Sequence, residues 1–231
     1  MRLTIFLAFL TCLQPLVAAA QESSSLPGIP ADVRTLRVQD QAEEIYERSD
    51  YERAFFIYRN ELAPIGDKYG QYMVGFMYLA GKGVAEDRVA ASAWYRLAAE
   101  PGTKEFVRAR DGLLKALDAE QKARSDRLFI ELRKECGDLA ILMKAVRADY
   151  ALLQQRTGTR LSASSSPLLI IDLHQLGATQ SGSQYYGEIE KRMQARLEFI
   201  AAHTNIEIID INKMNLSTLE SRVDQRLEDL D

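Results

Sequence analysis

Cysteine and histidine are scarce in this chain, whose 231 residues hold two of each. His174 and His203 stand 29 residues apart, and neither has metal-ligand spacing to Cys136 or to a carboxylate pair, which argues against a His/Cys metal centre. No apolar run reaches the ~18 to 20 residues that a membrane-spanning helix needs. There is no basic block and no aromatic ladder in a basic stripe, so the footprint of a nucleic-acid binder is missing. Interspersed charges give no support for membrane-surface binding either. What the chain has is 47% apolar and 27% charged residues, enough for one real core with an appendage.

The first twenty residues, MRLTIFLAFLTCLQPLVAAA, join Arg2 to an apolar run from Leu3 to Leu13, a Pro15 break and small residues at Ala18, Ala19 and Ala20. This pattern predicts a signal peptide cleaved near Ala20, and with it a periplasmic or secreted protein. Lipidation at Cys12 is disfavoured by the bulky Thr11 before it. Cleavage would leave 28 basic against 33 acidic residues, a net charge of about −5, and Cys136 as the one cysteine. No intramolecular disulfide is then possible. Leu132, Leu139 and Met143 share a helical face with Cys136, which predicts a buried, inert thiol. QESSSLPGIP opens the mature chain, and residues 21–37 read as a flexible tether.

From Val38 to about residue 155 helical periodicity runs almost without break, in seven segments divided by short polar or Gly/Pro junctions. Asp50, Asp118 and Asp138 stand where N-caps belong. DYERAFFIYRNELAPIG and DRVAASAWYRLAAEPG align with an offset of 37 residues, from Asp50 to Asp87, each passing through an alanine, a Tyr-Arg pair and a glycine. A period of that size predicts stacked helix pairs. The expected fold is therefore mainly all-α: a short α-α helical repeat solenoid over 38–155, a linker at 156–167, and a C-terminal extension at 168–231.

One unit carries a specific resemblance. Gly75, Tyr78, Gly81, Gly83, Val84, Asp87, Ala91, Trp94, Tyr95, Ala98, Ala99 and Gly102 match the pattern of the Sel-one-like repeat family, a branch of the tetratricopeptide-type solenoids. The match covers residues 70–102, with Gly70 in place of the usual alanine, Val74 in place of leucine and Pro101 before the last glycine. Gly81 and Gly83 follow a helix, not a strand, so they read as left-handed turn residues and not as a phosphate cradle.

The helix from Tyr69 to Leu79 is apolar nearly all round and must be covered by something. By resemblance to tetratricopeptide-type arrays, its second stripe, Tyr69, Tyr72, Phe76 and Leu79, is the candidate protein-binding face. The alternative is that the chain's own C-terminal part covers that stripe. Seven of the ten tyrosines lie between 46 and 95, and tyrosine is a favoured interface anchor.

The C-terminal extension is less legible. LLIIDLHQL and IEIIDI read as short extended or weakly paired strands. They alternate with two helices striped by Tyr186, Ile189, Met193, Leu197 and Ile200, and by Leu216, Leu219, Val223, Leu227 and Leu230. Asp172, His174, His203, Ser181 and Ser183 are the residues a nucleophilic set could draw on, but QSGSQ lacks the nucleophile-elbow pattern.

Together these features favour an exported adaptor or scaffold that holds a protein partner, with no catalytic residue, no cofactor and no metal. The step from repeat to protein binding is a fold-level analogy. Two other classes stay open: a small exported hydrolase with its site in 168–210, and a structural protein self-associating through 216–230.

Overall fold

The computed structural model describes residues 26–27, 33–157, 169–172, 178–206 and 214–229. Its fold is all-α apart from one small hairpin. The leader, His174 and residues 158–167 of the expected 156–167 linker lie outside the described residues, as does most of IEIIDI. The chain divides into two compact units: one runs to Ile141 and takes in Leu227–Asp231, the other is Leu142–Arg226.

The first unit opens with α1, Val33–Glu47, followed by α2, Tyr51–Ile57. Helix thus begins five residues ahead of Val38, inside the expected tether. Val33 and Leu36 at its start are exposed, so no apolar periodicity announces them, while Leu26 is buried. Asp50 caps α2 by accepting from the Arg53 amide. Beyond Ile57 the helix widens into a π turn, Tyr58–Leu62, then tightens into a 3-10 turn, Ala63–Ile65, ending at left-handed Gly66. Pro64 explains the widening, because it has no N–H to offer the carbonyl four residues back.

Helix α3, Lys68–Ala80, runs antiparallel to α2, since Leu62 meets Gly70, Phe55 meets Tyr78 and the Tyr51 carbonyl meets Gly83. It is also antiparallel to α4, Arg88–Ala98: Lys68 reaches the Leu97 carbonyl, Gly75 faces Ala91 and Tyr95, and the Asp87 amide bonds to the Tyr78 carbonyl. A methyl group on Gly75 would sit 2.7 Å from the Tyr95 ring, so glycine sets how closely these two helices approach. Gly81 and Gly83 both adopt left-handed φ, as the sequence predicts, and the Asp87 carboxylate caps α4 through the Val89 and Ala90 amides.

Helices α5, Lys104–Ala116, and α6, Ala119–Cys136, follow. Asp118 forms a full capping box with Gln121. Helix α6 lies along α4 in the same direction, with Arg96 pairing with Asp126 and lying over the Phe129 ring. Cys136 is fully buried. Asp138, the third expected N-cap, is instead the first residue of α7, Asp138–Thr157, and its carboxylate is drawn to a buried lysine.

In the second unit α7 buries Leu142, Met143 and Val146. Strands β1, Leu169–Asp172, and β2, Ala178–Ser181, form an antiparallel hairpin in which Leu169 pairs with Ser181 and Asp172 with Ala178. The first strand falls where LLIIDLHQL places it. Its partner in the hairpin is ATQS, all four residues of which are polar or small, so it carries no apolar alternation to read. Helices α8, Gly182–Thr204, and α9, Leu216–Glu228, bury most of their predicted stripes. Leu219, Val223 and Leu227, three of the five residues expected to serve self-association, are buried within the chain.

Candidate binding face

Helix α3 exists because both its ends are fixed. Asp67 accepts the Gly70 amide at the start, and left-handed Gly81 ends it by bonding to the Met77 carbonyl. Nine of its thirteen residues are buried, which leaves little side-chain surface for a partner. The predicted stripe splits accordingly. Tyr69, at 5% exposure, sets its ring edge-on against Tyr58 at 6.3 Å. Tyr72, at 8%, stacks on Tyr95 at 5.1 Å and touches Phe106 at 5.4 Å. These two are core residues, which corrects the expectation of a four-residue open face. The cover comes from the π turn, α4 and α5 of the same unit.

Phe76 and Leu79 remain half-buried at the end of the stripe. Tyr46 of α1 lies against Phe76 at 6.5 Å and against Tyr51 of α2 at 5.2 Å. Into this group comes Lys82, from the turn after α3. Its ammonium lies 4.8, 4.5 and 5.9 Å from the rings of Tyr46, Tyr51 and Phe76 and donates to the Tyr46 hydroxyl at 2.8 Å. Burial works against the Lys82 charge, but the hydrogen bond and the two tyrosines outweigh it and hold its pKa above the ordinary lysine value. The three rings belong to three separate segments, so no spacing in the sequence could have grouped them.

A second cluster was equally invisible. Lys68, 1% exposed, pairs with Asp138 at 2.7 Å and Glu100 at 3.2 Å, and donates to the Leu97 carbonyl and to Gln71. Glu100 in turn meets Arg133 at 3.3 Å and accepts the Asp138 amide. Burial alone would depress the ammonium, yet Asp138 and Glu100 hold its pKa above that of an ordinary lysine. The group ties the start of α3 to the ends of α4 and α6 and the start of α7. A lysine opening an all-round apolar helix was the one available signal, since a charge there must be matched when the helix is buried.

Asp67 has the opposite balance. Burial raises its carboxyl above the usual range, against hydrogen bonds from Gly70 and Gln39. Glu43 on α1 is also raised, by burial and by its neighbours Glu47 and Asp40.

In the second unit Asp149, 3% exposed at its side chain, takes Arg192 Nε and Nη2 on one oxygen at 3.0 and 2.6 Å and Arg196 on the other. Among the described residues, Ser181, Ser183 and His203 do not converge. Ser181 Oγ caps α8 through the Gln184 amide and lies 3.2 Å from Ser183 Oγ. His203 bonds to the Phe199 carbonyl at 2.7 Å and stacks on that ring. Ser183 and His203 occupy one helix twenty positions apart, about 30 Å at 1.5 Å per residue. Asp172 ends strand β1, and His174 lies outside the described residues. Among the described residues no group of three His, Cys, Asp or Glu side chains is placed to hold a metal ion. No described helix is long and apolar enough to cross a membrane.

Compared with protein-family models, with curated proteins and with solved structures, the chain matches none.

Proposed function

We propose that this chain is an exported, non-catalytic adaptor of the Sel-one-like repeat type that holds a protein partner at the end of α3. The observation that carries the reading is the split stripe. Tyr69 and Tyr72 are used for packing, whereas Phe76 and Leu79 stay half-buried beside Tyr46, Tyr51 and Lys82. Phe76, Leu79, Tyr51 and Lys82, part-exposed on helical scaffolding, have the composition of an interface anchor. The periplasmic or secreted location rests on the leader-like first twenty residues.

Affinity capture from an envelope extract tests it, with the wild-type chain beside Phe76→Ala. The variant is expected to lose a specifically retained protein while its unfolding free energy falls by about 1 kcal/mol, as suits a half-buried ring. A partner retained equally by both chains would sink the site. Tyr72→Ala serves as contrast: its loss of a buried, stacked ring is expected to cost about 3 kcal/mol, so its failure to bind would report lost structure.

A further inference from the structure

Helix α1 is the odd member of the first unit. Only Ala42 and Ile45 of its fifteen residues are buried, against nine of thirteen in α3. It runs in the direction of α3 and is pinned at both ends of that helix by polar contacts. Gln39 donates to Asp67 at the N-cap, and Tyr46 receives Lys82 just beyond the C-terminus. Between the pins lie Tyr58 and Tyr69, whose buried hydroxyls have no hydrogen-bond partner among the described residues. Glu43 and Tyr46 of α1 lie close enough to act on both phenols, yet neither satisfies them. A helix that buries two hydroxyls unmatched is a poor fit to its own seat. Its link to α2 is also strained: Ser49 sits at φ 67, a left-handed conformation seldom adopted without glycine, and Asp50 after it already belongs to the cap of α2.

We infer that α1 is an autoinhibitory strap, seated in cis on the aromatic edge of α3, and that the partner engages by displacing it with an amphipathic helix of the same face. That face is a small residue followed three and four positions later by an aliphatic residue and a tyrosine, as Ala42, Ile45 and Tyr46 stand in α1. A better ligand than α1 adds a carboxylate or amide oxygen that reaches the Tyr58 and Tyr69 hydroxyls. This deepens the adaptor reading and rests on it for the partner. The strap itself does not depend on any partner being found.

The test uses the full chain and, as probe, a fluorescent synthetic peptide of residues 33–49. With the strap closed, apparent affinity for the peptide falls in proportion to the fraction of open molecules. An Ile45→Ala, Tyr46→Ala chain, which weakens the cis helix, is expected to bind the peptide at least about tenfold more tightly than wild type. Hydrogen exchange on the unaltered chain supplies the second measurement, with α1 amides expected to exchange about a hundredfold faster than those of α3 and α4, as befits a locally opening element. Protection of α1 equal to that of α3 would overturn the strap, and so would a double variant that folds but takes up no peptide. A failed envelope capture alongside fast α1 exchange and peptide binding would count against the adaptor and leave the strap standing.

Discussion

The two units contain buried charge clusters of opposite design. In the first, one cation, Lys68, sits between the carboxylates of Asp138 and Glu100, with Arg133 completing a neutral set of four. In the second, one anion, Asp149, sits between two guanidiniums, and one of these, Arg192, has a side chain 39% exposed. The first cluster is nearly closed to solvent, with Glu100 its most exposed side chain at 18%, while the second can release an arginine to water. The difference teaches where each unit is brittle: a buried pair adds little net stability when intact, but removing one member strands the other.

The largest expected effect follows directly. Lys68→Ala leaves two carboxylates buried beside each other and should cost about 3–5 kcal/mol in denaturant unfolding. Trp94, the single tryptophan and a buried residue of the same unit, provides the fluorescence readout. Asp149→Ala should cost less, about 2–3 kcal/mol, because Arg192 can turn outward and only Arg196 stays enclosed. Equal losses would break the comparison.

Alkaline pH sharpens it. A lysine whose pKa is raised on folding contributes stability that is intact below its ordinary value of 10.5 and is lost as pH climbs through the raised value. The arginines around Asp149 keep their charge throughout that range. Trp94 fluorescence should therefore report loosening above pH 10.5 while the second unit holds, followed by the amide signals of α8. Tyr58, Tyr69 and Tyr95, raised by burial, push stability the same way, since they ionise more readily unfolded. A Lys68→Met chain isolates the lysine's share, and an unchanged alkaline midpoint in that chain would assign the whole effect to the phenols.

The smallest effect is at Asp67. Its carboxyl is raised on folding, so its ionisation works against the native state and stability improves as pH falls from the neutral range through the folded value. Asp67→Asn keeps an acceptor for the Gly70 amide and should flatten that acid-side slope, with a change of no more than about 1 kcal/mol at pH 7. A slope left intact would place its source elsewhere, with Glu43 the next group to examine.

Local signals carried the helices well. Asp50 and Asp118 cap as their positions predict, Gly81 and Gly83 turn left-handed, and Ile189, Met193, Leu197 and Ile200 form the buried stripe of α8. Each of these is decided within a turn or two of chain. Properties that need distant segments were not legible. The sequence shows that α3 is apolar all round, but not that Tyr69 and Tyr72 face inward while Phe76 and Leu79 stay at the edge. That outcome depends on Tyr58, Tyr95 and Phe106, which come from three other segments of the chain. Asp138 illustrates the same limit, because its position suits a cap and a lysine seventy residues earlier draws its carboxylate away.

The paired arginines on α8 have one more consequence. Arg192 and Arg196 are one turn apart and share Asp149, and Arg196 also reaches the Ala145 carbonyl of α7. Two guanidiniums one turn apart on a single carboxylate also fix which turn of α8 lies beside Asp149: moved along by a turn, about 5.4 Å, the helix would carry one of them off its acceptor.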